Sequence, residues 1–212
     1  MKKLFLLIIL TLASASGFAF QFLHVGTIES RHWNDGWDEF NYYSLHVYAG
    51  GSPDGTERTM IIKITSAIGD DYQKEFTIKK CSERQIKNDE CGSTGYTKNQ
   101  DFMNLVYILD KSIKWSKIAK ENKVERVRKN ISDSEGRIFY SPFGGGYARF
   151  FASNFGKQTD LILPVNFDIG NKTDRYYDIE AQEKFYRLLT KEVTETIERS
   201  KVESDKIDKL FK

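Results

Sequence analysis

The segment Asn99–Ile118 constrains the fold most, because it is the most helix-like stretch of the sequence. Its apolar residues recur at steps of three and four, which places them on one side of a 3.6-residue helix. Asn99 or Asp101 can cap the first turn by accepting a bond from an unpaired N–H. We expect the helix to end or bend around Ile118–Asn122, and Val124 and Val127 to continue it. The apolar stripe consists of Phe102, Leu105, Val106, Leu109 and Ile113.

Alternating apolar residues predict strands on both sides of this helix. We therefore expect an α+β fold, in which a mainly antiparallel sheet from two strand-rich halves is covered by the middle helix and a long C-terminal helix. Pro164 has no N–H for a strand ladder, which favours an edge strand or a bulge at that point. The predicted strands are Phe20–Ile28, Phe40–Ala49, Glu57–Thr65, Tyr72–Lys79, Arg137–Ser141, Tyr147–Ala152 and a strand through Leu161–Phe167.

The C-terminal segment, from Asp174 to Lys212, has the spacing of a helix. Tyr186, Leu189, Val193 and Ile197 form its apolar stripe. We expect the helix to pack on the body up to about Ile197. The tail from about residue 198 has serines in the seam and too few unbroken heptads for a coiled coil, so we expect it to fray.

The first 19 residues have the three zones of a secretory signal peptide: two lysines, an apolar run and small residues at the exit. The apolar run is too short to span a bilayer, which takes about twenty residues. Cleavage after Ala15 or Ala19 fits the small-residue pattern, and we prefer Ala19 because Phe20 then begins the first strand. We therefore predict an exported protein, periplasmic or extracellular, with no transmembrane anchor after the leader is removed. Residues 20–212 are expected to form a single domain.

The charge of the mature chain gives no support to a nucleic-acid partner. Removing Lys2 and Lys3 with the leader leaves 30 basic residues against 30 acidic ones, from 32 and 30 in the full chain. Nucleic-acid surfaces need a concentrated basic excess, and the cluster Lys123–Lys129 alternates with acids.

Cys81 and Cys91 are the two cysteines of the chain. In an oxidising compartment, an even number at short spacing indicates a disulfide. The segment between them contains no histidine and no further cysteine for a metal. Closing this loop would stabilise the fold by roughly 3 kcal/mol on the chain-entropy model.

The segment Arg31–Tyr43 brings two indoles, Trp33 and Trp37, together with several carboxylates. One interpretation is a binding surface for a glycan or a cation. The other is a β-turn at Asn34–Gly36, with each indole covering an edge of the core. The carboxylates are Asp35, Asp38 and Glu39, which would serve as acid/base groups if the protein were a glycoside hydrolase.

A second aromatic segment, Pro142–Phe151, contains three consecutive glycines. Phosphate-binding glycine loops lead into a helix, whereas the residues that follow here resemble a strand, so a hairpin turn is the better interpretation. Phe143 and Tyr147 are candidate contacts for a partner protein or a glycan. Core packing is the alternative.

The sequence offers no strong metal or cofactor signal, and we predict neither. His24 and His46 fall in predicted strands and could face each other, but no third ligand is evident. The polar loop Asp168–Asp174 lacks the spacing and final glutamate of an EF-hand calcium loop.

The leading functional hypothesis is an exported, non-enzymatic binding or interaction protein of the cell envelope, for example of the inhibitor or immunity type. It rests on the leader, the disulfide, the surplus of loop aromatics and the absence of G-x-S-x-G, H-E-x-x-H, C-x-x-C and P-loop patterns. One alternative is an envelope hydrolase that acts on carbohydrate or peptide, and another is a structural subunit in which Ser200–Phe211 forms a docking helix. An envelope protein or a glycan is the expected partner in the first case.

Overall fold

A computed structural model describes residues 22–34, 38–52, 54–65, 71–88, 90–91, 95–168 and 171–198. The predicted leader, with Ala15 and Ala19, lies outside the described residues, and so does the predicted frayed tail beyond residue 198. The fold is α+β, with the sheet as the larger part.

In the described part of the chain, eight strands form one antiparallel sheet in the order β4-β3-β2-β1-β8-β7-β6-β5. The chain runs from the centre of the sheet to one edge through β1–β4. It then crosses to the opposite edge and returns to the centre through β5–β8, so that its first and last strands are neighbours. The strands are β1 Leu23–Asn34, β2 Glu39–Gly51, β3 Glu57–Thr65, β4 Asp71–Lys79, β5 Arg126–Asn130, β6 Arg149–Ser153, β7 Gln158–Asp168 and β8 Asn171–Asp178.

The crossover from β4 to β5 contains two helices, α1 (Glu83–Lys87) and α2 (Gln100–Glu121). The Asn99 side chain caps α2 by accepting the Phe102 N–H, as the sequence predicts, and Asn122 ends it. A third helix, α3 (Ile179–Arg187), follows β8 and continues through a π-helical turn and a helical segment as far as residue 198.

The core lies between one face of the sheet and the helices α2 and α3. The predicted stripe of α2 is confirmed: Leu105 and Leu109 are fully buried, and Phe102 and Val106 pack against the core. The C-terminal helix packs through the segment that contains Ile197, which is 4 % exposed. The inward residues of the strands include Leu45, Val47, Ala49, Met60, Ile62, Ile64, Phe76, Phe150, Ala152, Leu161, Leu163 and Val165.

One end of the sheet curls toward the core, so that β4 reaches β7. The ring of Tyr72 lies 6.1 Å from that of Phe143 and 6.4 Å from that of Phe167. Beside them is Arg175, which is 1 % exposed, with its guanidinium 4.1 Å from the centre of the Tyr43 ring. Burial lowers the pKa of Arg175. This cluster connects the two halves of the sheet from the inside.

Three predicted elements differ in the structure. Asp174 lies in strand β8, so the C-terminal helix begins at Ile179, and the predicted helix is wrong for the first five residues. Val127 belongs to β5 rather than to an extension of α2. The segment Arg137–Ser141 forms isolated bridges, Ser132 to Ile138 and Tyr140 to Tyr147, and no regular strand.

Pro164 lies in β7, which is an interior strand rather than an edge strand. β6 does not reach this point, because its first residue, Arg149, pairs with Ile162. The glycine loop passes here instead, and a Cβ on Gly145 would lie 3.0 Å from the Pro164 Cβ. Asn166 donates its N–H to this loop. Backbone N–H groups alternate in direction along a strand, so residue 164 faces the loop as well. The N–H that Pro164 lacks therefore interrupts no strand pairing.

The disulfide between Cys81 and Cys91 is formed, with the two sulfurs in bonding contact. It closes the segment that contains α1, at the end of β4. Among the described residues, no helix has the length and apolar character needed to cross a membrane.

Candidate functional site

The face of the sheet opposite α2 and α3 is the candidate interaction surface, and we call it the outer face. Side chains alternate along each strand, so residues next to the buried ones point to this side. The outer-face residues used below are Thr27, Glu29, Arg31, Trp33, Phe40, Tyr42, His46, Tyr147, Arg149, Asp160, Asp174, Tyr176 and Asp178.

Three aromatic rings form a row across the centre of the outer face. Trp33 pairs with Phe40 across β1 and β2, and their rings meet edge to face at 5.0 Å. The Phe40 ring meets that of Tyr176 on β8 at 5.6 Å, again edge to face. The row therefore spans the junction of the two half-sheets. Edge-to-face pairs of this kind contribute about 0.5–1.5 kcal/mol beyond their buried area.

Ion pairs flank this row. Arg31 donates to Asp160, whose side chain is 1 % exposed, and the Arg31 guanidinium also lies 4.7 Å from the Phe40 ring centre. Burial raises the pKa of Asp160, and Arg31 lowers it only in part. Arg149 donates to Asp174 in a second pair. The arginines are thus held in fixed positions beside the rings.

Tyr147 extends the outer face beyond Arg149. Its ring lies 4.3 Å from that of Tyr140, and the Tyr140 hydroxyl donates to that of Tyr147 at 3.0 Å. This bond raises the pKa of Tyr140. Tyr140 and Tyr147 are 62 % and 41 % exposed. Tyr147 and Trp33 therefore lie on the same side of the sheet, with Tyr176 and Arg149 between them and no direct contact.

The other predicted binding residues are placed differently. Phe143 is fully buried against Tyr72 and presents no surface to a partner in this conformation. Trp37 and Asp35 lie outside the described residues. Asp38 and Glu39 are exposed at the start of β2.

A cleft of about 390 Å³ opens beside the aromatic row, where β1 and β8 separate. The two strands share one register pair, Arg31 with Tyr176, and the first turns of α3 occupy the gap beyond it. No sequence pattern predicts this cleft, because its position depends on where two strands that are distant in the chain separate. Its lining includes Glu29, Arg31, Tyr42, Tyr176, Asp178, Glu180 and Lys184.

His24 and His46 face each other through Thr27, as their strand positions allow. The Thr27 hydroxyl lies 3.1 Å from His24 Nε2 and 2.9 Å from His46 Nδ1. In the part of the chain that the structure describes, no group of three or more metal-ligating side chains occurs. The pair therefore provides a hydrogen-bond link between β1 and β2.

Comparison with known proteins gives no family. No family model, no curated protein and no solved structure matches this chain.

Proposed function

We propose that the protein is an exported, non-enzymatic binding protein of the cell envelope that contacts its partner through the outer face of its sheet. The single observation that carries this proposal is the row of Trp33, Phe40 and Tyr176 with its flanking arginine pairs. Tryptophan, tyrosine and arginine dominate the binding energy of protein interfaces. Rigid rings and fixed guanidinium groups lose little conformational entropy on binding.

The predicted leader and the disulfide support the compartment that this proposal names. The leader directs secretion, and a bond between Cys81 and Cys91 persists in an oxidising environment. Intact-mass analysis of the protein recovered from the envelope or the medium is expected to give a chain that begins at Phe20 and carries no free thiol. A retained leader with both thiols reduced would contradict the proposal.

The interaction surface is tested by site-specific photocrosslinking in the cells that export the protein. A photoreactive phenylalanine analogue replaces either Tyr42, which is 66 % exposed, or Tyr140, which is 62 % exposed. The matched control position is Met103 on α2, which is 46 % exposed on the helical side. We expect positions 42 and 140, and not position 103, to give an adduct with the same envelope component.

No adduct from position 42 or 140, or an identical adduct from position 103, would contradict this role of the outer face. The hydrolase alternative stays a prediction. Of its three candidate carboxylates, Asp35 lies outside the described residues, and Asp38 and Glu39 are not among the residues that line the cleft between β1 and β8.

A further inference from the structure

We propose that the cleft between β1 and β8 binds an amino-sugar oligosaccharide. This inference rests on the proposed function, because it names a ligand class for the outer face, and it concerns a site that the sequence did not reveal. Its basis is the concave shape of the cleft, its two tyrosine rings and its uncommitted polar side chains.

The cleft is a consequence of the topology. β8 ends at Asp178, two residues beyond its single register pair with β1, and the chain then turns into α3. Past this point β1 remains paired with β2 but has no strand partner on its other side, so the sheet opens between its two halves. The opening holds about 390 Å³, which lies within the usual range of small-ligand sites.

Two tyrosines stand on either side of the cleft. Arg31 pairs with Tyr42 on β2 and with Tyr176 on β8, so the three side chains form one row across three strands. The Cα atoms of the two tyrosines are therefore about two strand spacings, or about 10 Å, apart. The Arg31 guanidinium is held by Asp160 and Phe40, so that Arg31 forms a fixed part of the cleft wall between the two tyrosines.

The rest of the lining offers hydrogen-bonding groups that are not used elsewhere. Glu29, Glu180 and Lys184 form no ion pair with any residue that the structure describes. Asp178 caps α3 by accepting the Ala181 N–H with one oxygen, and its other oxygen is available. Acceptors and a donor thus stand side by side at the mouth of the cleft.

A saccharide matches this combination better than a simple cation. The apolar face of a pyranose ring packs on an aromatic ring, whereas its hydroxyls both donate and accept hydrogen bonds. Glu29, Asp178 and Glu180 outnumber Lys184, so an amino group on the sugar gains charge-assisted bonds. Arg31 does not change this balance, because Asp160 neutralises it.

The test is calorimetric titration of the full mature chain with three probes: a glucosamine trisaccharide, its fully N-acetylated form and a tri-lysine peptide. We expect the glucosamine trisaccharide to bind most tightly and the acetylated form several-fold more weakly. Tyr42→Ala is expected to weaken binding of the first probe about tenfold, which corresponds to 1.4 kcal/mol. Glu180→Gln is expected to reduce the preference for the free amine.

The matched control is Tyr140→Ala, which removes an equally exposed tyrosine outside the cleft and should leave saccharide affinity unchanged. No saccharide binding, tri-lysine binding as tight as that of the glucosamine trisaccharide, or equal losses in the two tyrosine variants would each overturn the proposal. If the crosslinked adduct persists while the saccharides fail to bind, only the ligand class is wrong. If both fail, the proposed function is wrong as well.

Discussion

The two halves of the sheet, β1–β4 and β5–β8, are both built of consecutive antiparallel strands, but they differ in regularity. The strands of the first half have 9 to 13 residues and inward positions occupied mainly by aliphatic side chains. In the second half, β5 and β6 have five residues each, and the connection between them folds into isolated bridges and a glycine loop. The second half depends more on packing between distant segments.

Among the contacts that join these halves, two differ in kind. The first is the outer-face junction of Arg31, Asp160 and Tyr176. The second is the inner cluster in which Phe143 of the glycine loop meets Tyr72 of β4. The irregular half is therefore stabilised by residues that also join it to the regular half.

The largest effect is expected for Phe143→Ala. The side chain is fully buried between the halves, so its removal should lower the free energy of unfolding by about 3–5 kcal/mol. Tyr147→Ala is the control in the same loop, and because Tyr147 is 41 % exposed the loss should be about 1 kcal/mol or less. Urea denaturation measures both. Similar losses in the two variants would show that the loop does not join the halves through Phe143.

A somewhat smaller effect is expected for Arg31→Ala. It leaves the Asp160 carboxyl, 1 % exposed, without its cation, which should cost about 3 kcal/mol. Lys74→Ala breaks the pair with Asp101 on the surface, where Asp101 is 54 % exposed, and should cost about 1 kcal/mol or less. If the two variants lose equal stability in thermal and urea unfolding, the outer-face junction contributes no more than a surface ion pair.

The smallest effects are two opposite dependences of stability on pH, caused by one carboxyl in each half. Burial raises the pKa of Asp160 above its unfolded value of about 3.9, so its contribution to stability is present at lower pH and is lost as pH rises through the folded pKa. Bonds from the Ser52 hydroxyl and from the Thr56 N–H and hydroxyl lower the pKa of Asp54 to about 2. Its contribution is therefore present above about pH 4 and is lost as pH falls through 2.

Urea unfolding of Asp160→Asn and Asp54→Asn between pH 2 and pH 7 separates these contributions. Relative to Asp160→Asn, the unsubstituted protein should lose stability as pH rises. Relative to Asp54→Asn, it should gain stability between pH 2 and pH 4. The same sign in both comparisons would contradict the contrast between a buried and an exposed carboxyl.

Much of the regular half was predictable because its inward residues are aliphatic, and the alternation of Met60, Ile62 and Ile64 is confirmed. Outside this half, the structure also confirms the stripe of α2 and the pairing of Cys81 with Cys91. The part of β8 from Asp174 to Asp178 was predicted as helix, and its alternation is hard to detect because the inward, buried residue at position 175 is an arginine. Its place depends on Tyr43 and Phe167, which are distant in sequence.

The sequence by itself determined the elements whose side chains repeat with a simple period, the predicted leader and the two cysteines available for pairing. These are local properties, readable from spacing and residue type. Only the tertiary structure decided that Trp33 and Tyr147 share one face, that Phe143 is buried, and that a cleft opens beside Tyr176. Each of these depends on which strands become neighbours, and the contact of β1 with β8 joins residues about 145 positions apart in the chain.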